Sequence, residues 1–270
     1  MSSGYEMHVI PNTHWDREWL YDFQETRMQL VDLFKVLMEM LDSYPQYKSF
    51  LFDSQVAPIE DYLSVKPEDR DRVKGYVESG RILVGPWYTC PEEFNVNGES
   101  LFRNLLFGHK VARSLGHVMK IGYSPFSYGQ VSQIAQIYAS FGIDTILFYH
   151  GVTLDEVPSE FILEGADGTR LLGTRMGSNA RYNFFFDVYR PAVYGKEISE
   201  RGYRWREGGV PFHLCGPEDY RSHYFLLRPR KSLDMEKLRS GLENLKKKEI
   251  EACSTRVFAY MLGHDSYAPD

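Results

Sequence analysis

The chain has little of several things that organise other proteins. Its 270 residues include only three cysteines, Cys90, Cys215 and Cys253, far apart and without CxxC spacing. Neither a disulfide framework nor a thiolate metal site follows from them. No apolar run approaches the ~20 residues of a membrane span. The start, Met1-Ser2-Ser3-Gly4, lacks the basic, apolar and cleavage regions of a signal peptide, so a cytoplasmic location is expected. Basic residues are outnumbered: 31 Lys and Arg stand against 37 Asp and Glu, a net charge of -6. That balance argues against nucleic acid as a partner, and Arg228-Pro229-Arg230-Lys231 reads as a solvated loop. A hydrophobic fraction of 43% and a charged fraction of 25% are those of a soluble globular protein. At this length one large domain suffices to bury a core. Aromatics reach 15%, which suits sugar-stacking surfaces and a large core equally well.

The stretch that stands out is Asn12-Thr13-His14-Trp15-Asp16-Arg17-Glu18-Trp19. His14 and Asp16 are at i and i+2, so in an extended chain both side chains leave the same face. An imidazole nitrogen beside a carboxylate oxygen makes two of the four ligands zinc prefers. Met7 to Pro11 reads as a strand running into the pair, and Arg27 to Leu41 as a helix after it. A His-x-Asp pair alone is short, and a solvated loop is the bland alternative. The flanking Trp15 and Trp19 raise the sharper reading.

The chain then repeats one theme: a short apolar strand, a polar or aromatic cluster, an amphipathic helix. Strands are expected near 7–11, 49–52, 82–85, 119–122, 145–148, 171–175 and 257–261. Helices are expected at 27–41 on the stripe Leu30, Leu33, Phe34, Leu37 and Leu41, from Lys66 to Gly80, from about Ser100 to Leu115, over Val131–Phe141, and over Met235–Ala252. Phe161 to Glu164 and Arg170 to Met176 form a hairpin turned by Ala166-Asp167-Gly168. Residues 180–215 have no regular pattern.

Alternating strands and helices imply a mainly parallel sheet. Six expected strand ends carry the conspicuous side chains: His14 and Asp16, Asp53, Trp87 and Tyr88, Tyr123 and Ser124, Tyr149 and His150, His264 and Asp265. Segments so widely scattered converge if their strands surround an axis, as at the C-terminal face of a barrel. An open doubly wound sheet would instead carry a Gly-rich turn after its first strand, and none is present.

On these residues the chain resembles the glycoside hydrolase family 38 α-mannosidases. The resemblance is carried by His14-Trp15-Asp16-Arg17-Glu18-Trp19, by Phe94 to Gly108, by Ile121 to Gln136 and by Leu262-Gly263-His264-Asp265, in order along almost the whole chain. It implies the family's N-terminal seven-stranded (βα) barrel over 1–270, at the front of a longer protein, with one divalent ion, zinc first. It also implies metal-dependent retaining hydrolysis of α-mannosides. His14 and Asp16 then match metal ligands, Asp265 matches the catalytic acid/base, and Trp15 and Trp19 flank the sugar. Two departures follow. Aligning Tyr128-Gly129 with the family's Phe-Gly places Phe126 where the nucleophilic, metal-ligating aspartate belongs. The family's remaining histidine ligand lies in a helical domain beyond this chain.

Beyond the resemblance, Asp53, Trp87, Tyr88, Arg181 and Tyr182 are the expected substrate contacts. Arg181-Tyr182-Asn183 reads equally as a structural clamp, and Asp265 taken alone as a turn or cap aspartate. Retaining hydrolysis needs two carboxyls about 5–5.5 Å apart. Asp53, Glu92 and Tyr128 are weaker substitutes for the missing nucleophile. Two other classes compete. A zinc-dependent carbohydrate deacetylase needs a further histidine pair, and His109 and His117 at i, i+8 do not supply it. A non-catalytic glycan-binding relative is favoured by Phe126 and disfavoured by His14, Asp16 and Asp265. The expected partner is carbohydrate, with no membrane and with room for a homo-oligomer.

Overall fold

In a computed structural model of the chain, residues 4–19, 21–125, 127–177, 180–194 and 233–263 are described. Phe126, Cys215, Arg228 to Lys231, His264 and Asp265 lie outside the described residues.

Strands β1 (Glu6–Pro11), β2 (Phe50–Leu51), β3 (Ile82–Leu83), β4 (Gly122–Ser124), β5 (Thr145–Phe148), β6 (Glu160–Glu164), β7 (Arg170–Arg175) and β8 (Val257–Leu262) alternate with helices. The helices are α1 (Phe23–Ser43), α2 (Ala57–Val65), α3 (Arg70–Glu78), α4 (Gly98–Leu115), α5 (Ile134–Ser140), the short α6 (Arg190–Tyr194) and α7 (Met235–Ala252). Helix α1 starts where the Asp22 carboxylate accepts from the Glu25 amide, satisfying one of the first-turn donors. It buries Leu30, Leu33, Phe34, Leu37 and Leu41 as one stripe. Asp234 caps α7 in the same way, accepting from Glu236 and Lys237.

The strands form three small sheets. β1 pairs with β8 and β2 with β3, both parallel, and a third sheet runs β4-β5-β7-β6, with only β6 antiparallel. An isolated parallel bridge, Asn12 to Leu51, links the first two, and the Met119 amide donates to the Val84 carbonyl beside the third. The architecture is therefore α/β and mainly parallel. The expected closed ring of seven strands is not formed by these ladders, which stay short and separate.

One break has a visible cause. Among the described residues β8 has no strand partner on its side away from β1, and Asn183 occupies that edge. Its Nδ2 donates to the Ala259 carbonyl at 2.9 Å and its Oδ1 accepts from the Met261 amide at 2.7 Å. An amide side chain thus satisfies two strand groups that would otherwise be unpaired. A cavity of about 370 Å³ lies alongside, between Leu147, Thr174, Met176, Glu249 and Ala259.

Packing ties the sheets together. Leu51, Tyr123, Met176 and Met261 form one apolar cluster, with Ile10, Leu83, Leu147 and Ala259 against it. Residues in β1, β2, β3, β4, β5 and β8, and Met176 just past β7, thus meet in one interior. A second core lies under α1, α2 and α3, and a third between α4, α5 and β5. Helix α4 lies directly on the chain after β3. A Cβ at Gly108 would stand 2.1 Å from the Pro86 carbonyl oxygen, so only glycine fits. Gly263, just past β8, is equally tight: a Cβ there would stand 1.8 Å from the Asn12 carbonyl oxygen.

Candidate metal and sugar site

The site is built where β1, β2 and β3 end. The Thr13 amide donates to Leu51 O at 3.0 Å, carrying the chain past β2 with His14 buried. Asp53 and Ser54, just after β2, have φ of 46° and 67°. Non-glycine residues rarely adopt that left-handed backbone, and it is held here by its surroundings.

The His14 ring lies between two carboxylates. Its Nε2 is 3.2 Å from Asp16 Oδ1, and its Nδ1 is 2.8 Å from Asp53 Oδ2. Burial and the Arg181 charge both disfavour the imidazolium, yet the hydrogen bonds to Asp16, Asp53 and Cys90 outweigh them and raise the His14 pKa well above its ordinary value. Asp53 is wholly buried, and Arg181, 2% exposed, reaches its Oδ2 at 3.4 Å. Asp53 Oδ1 is buried with no hydrogen-bond partner among the described residues. Cys90, on the chain after β3, closes the group: its thiol donates to Asp53 O at 3.1 Å and lies 3.3 Å from Ser54 Oγ. Ligand atoms of His14, Asp53 and Cys90 lie within 4.8 Å of one another.

These donors suit a divalent cation. Two ligands of a tetrahedral zinc, each about 2.0–2.1 Å from the metal, stand roughly 3.3 Å apart, close to the His14–Asp16 separation. A carboxylate on the far ring nitrogen, as Asp53 provides, fixes the tautomer and aims the other nitrogen. The buried, unpartnered Asp53 Oδ1 is a further polar atom that a cation or its water would satisfy.

The other expected contacts are placed differently. Trp15, 1% exposed, is buried among α1 and α2 residues, and Trp87 is 0% exposed, its indole N–H donating to the Tyr138 hydroxyl at 3.2 Å. Trp19 is 56% exposed. Tyr88 is half-buried, its hydroxyl pKa raised by burial and then by Glu60. Tyr182 carries Arg181 over its ring at 4.3 Å. Arg17 leaves the motif to make a two-pronged ion pair with Asp61 of α2, at 2.7 and 2.9 Å.

Three participants were not visible in the sequence: Cys90, Gln55 and Glu93. Cys90 lies three residues beyond Trp87, in a segment already marked by its aromatics, yet its spacing to other cysteines said nothing. Glu93 is 1% exposed, and burial pushes its carboxyl up to about 7, against the hydrogen bonds from Val131 and Ser124.

An α/β chain with a histidine between two carboxylates at neighbouring strand ends has the outline of a candidate metal site. The particular family follows from sequence. The profile described as "Glycosyl hydrolases family 38 N-terminal domain" matches residues 4–199, and the chain belongs to that family. A Halalkalibacterium halodurans protein provisionally named a mannosylglycerate hydrolase is 35% identical over 179 residues, 62% of this chain and 20% of its own length. An α-mannosidase of Saccharomyces cerevisiae is 31% identical over 196 residues, 69% of this chain and 18% of its own. The crystal structure of an α-mannosidase from Enterococcus faecalis V583 superposes with a TM-score of 0.74 at 25% identity, over 98% of this chain and 25% of that one. The chain thus spans about a fifth of the length of the curated relatives it matches. Among the described residues no helix is long and apolar enough to cross a membrane.

Proposed function

We propose that this chain supplies the metal- and sugar-binding face of a retaining glycoside hydrolase that cleaves α-mannosides, built as the N-terminal (βα) barrel domain of a longer protein. The observation that carries it is the His14 ring held between Asp16 and Asp53 at the ends of β1 and β2, in a chain of this family. The barrel reading is supported by the apolar cluster to which β1, β2, β3, β4, β5 and β8, and Met176 just past β7, contribute.

In this reading His14 and Asp16 hold the cation, zinc first, and Asp53 orients His14. When bound, the cation supplies Lewis-acid polarisation of a substrate oxygen. Trp19 and Tyr88 offer the ring faces accessible to a sugar, whereas Trp15 and Trp87 back the site from within. Arg181 pairs with Asp53 and keeps it in place. Asp265 is the proton donor to the leaving oxygen. Its support is sequence order: Gly263, two residues earlier, is packed on Asn12 beside the His14 segment. Phe126 at the expected nucleophile position makes turnover on simple α-mannosides slow, and it favours a second reading, glycan binding without hydrolysis.

An aryl α-mannoside, tested with zinc-loaded protein spanning the relatives' full length, separates these readings. Release of the aryl group with retention of anomeric configuration, lost in His14→Ala, is expected. Saturable mannoside binding with no release would establish the non-catalytic reading instead.

A further inference from the structure

Two adjacent carboxylates on the chain after β3 reach across to the segment leaving β4. Glu93 Oε1 accepts from the Ser124 hydroxyl at 2.9 Å, and its Oε2 accepts from the Val131 amide at 2.9 Å. Its own amide donates to Ser127 Oγ at 3.4 Å. Glu92 Oε2 accepts from the Tyr128 amide at 3.1 Å, and its Oε1 receives the Ser127 hydroxyl at 3.5 Å. Thus Ser124, at the end of β4, and Val131 are both fixed by one buried carboxylate. A buried carboxylate accepting from two donors is a two-point anchor, and the buried Ser124 hydroxyl has no water to turn to instead.

This anchor is wired to the site. Three residues before Glu93, the Cys90 thiol bonds the Asp53 carbonyl; Ser54, next to Asp53, donates to the Tyr123 carbonyl of β4 at 3.2 Å. The loops after β2, β3 and β4 are therefore cross-tied, and Glu93 is the tie between the last two.

We propose that Glu93 is a positioning residue of this site, holding Ser124 and residues 127–131 so that they form a fixed wall beside the His14–Asp53 group. The proposal rests on reading those residues as part of the α-mannoside site. Glutamine at this position keeps the geometry: its oxygen accepts from Val131, its NH2 donates to Ser124 Oγ, and the Ser124 hydroxyl turns to Tyr138, 3.3 Å away. Alanine leaves both donors bare.

The test compares Glu93→Ala and Glu93→Gln in the complete protein by amide exchange and by aryl α-mannoside kinetics. In Glu93→Ala, exchange of amides 127–131 should rise about tenfold, the scale of one lost hydrogen bond, with α1 and α4 unaffected. Turnover should fall on the order of 10²-fold, the cost of misplacing a site wall by about 1 Å, at nearly unchanged KM. Glu93→Gln should restore both. Where Glu93→Ala does not fold, Glu93→Asp, too short to reach Ser124 and Val131 together, must loosen 127–131 in its place. Exchange unchanged at 127–131, raised evenly through the chain, or as fast in Glu93→Gln as in Glu93→Ala overturns the proposal. Should the wild-type protein cleave no mannoside, the proposed hydrolase function fails, while the exchange data still decide the anchor.

Discussion

Gln55 clasps the backbone of Trp15 from both sides. Its Oε1 accepts from the Trp15 amide at 3.1 Å, and its Nε2 donates to the Trp15 carbonyl at 3.3 Å. Gln55 is itself pinned by a parallel bridge to Trp87. The residue between the two metal-ligand candidates is therefore held by the loop that carries Asp53. One side chain couples the His14–Asp16 pair to the Asp53 turn, and this coupling keeps the His14 ring between its two carboxylates.

Gln55→Ala should consequently cost stability and order in the motif together. It removes both buried hydrogen bonds to the Trp15 backbone, each loss costing about 1–3 kcal/mol. Thermal unfolding should show the loss. Gln55→Glu, which places a second acceptor against the Trp15 carbonyl, should be no better than alanine. A glutamate variant as stable as wild type would sink the claim that both bonds matter.

Two glycines should respond oppositely to the same substitution. Gly108→Ala drives a methyl into the Pro86 carbonyl and the Trp87 backbone, at 2.1 and 2.5 Å. Backbone there cannot give without displacing the loop that delivers Trp87 and Cys90, so a loss of about 1–3 kcal/mol or more is expected. Gly75, inside α3, has nothing within 4 Å of an added Cβ. Gly75→Ala should stabilise by roughly 0.5–1 kcal/mol. Denaturant titrations of the two variants settle the pair, and equal shifts in one direction would contradict the packing described.

The parts of this architecture set by local chemistry were legible in the sequence. The stripe on α1, the hairpin turned at Asp167-Gly168 and the strand Thr145–Phe148 appear where periodicity and turn residues put them. β4 does not. The apolar alternation around Met119 and Ile121 points to a strand at 119–122, yet pairing with β5 begins only at Gly122. Met119 instead serves β3, through its amide to Val84 O. Helix α2 carries no one-sided pattern in the sequence, because Ala57, Pro58, Ile59, Tyr62 and Leu63 are all buried. The charged helix expected from Lys66 to Gly80 begins as a single 3₁₀ turn, Pro67–Asp69, before α3. In the site, His14 and Asp16 are readable because they are two residues apart. Cys90, Gln55 and Glu93 reach the site only through tertiary contacts, which no spacing encodes.

Glu93 also gives the fold a pH dependence with a definite sign. Burial raises its carboxyl from 4.5 to about 7. Between those values the native state keeps a proton that the unfolded chain has released, so stability falls as pH rises. The contribution is complete below about pH 4.5 and gone once pH has passed through about 7. Its size is on the order of 1–3 kcal/mol. The neighbouring charge is Glu92, which opposes ionisation of Glu93 in the same direction. Glu93→Gln removes this titration. Unfolding free energies measured near pH 5 and again well above pH 7 should therefore show the glutamine variant gaining on wild type at the higher pH. A gap between the two proteins that does not change with pH would contradict the assignment.

The two carboxylates on His14 should be distinguishable by metal affinity. Asp16 lies on Nε2 at 3.2 Å, the separation of two ligands on one tetrahedral ion. Asp53 lies on Nδ1 at 2.8 Å, as a partner that orients the ring. Asp16→Asn replaces an anionic ligand oxygen with a weak neutral one and should remove most zinc binding. Asp53→Asn keeps an acceptor for the Nδ1–H but loses its charge, and should weaken zinc by about 10–100-fold, the usual effect of altering such a partner. His14→Ala removes the ligand itself and should bind no better than Asp16→Asn. Competition against a chromophoric chelator, on protein of the relatives' full length, measures all three. If Asp53→Asn proved as damaging as His14→Ala while Asp16→Asn bound zinc normally, the ion would belong on the Nδ1 face with Asp53 and Cys90, and the assignment of Asp16 would be wrong.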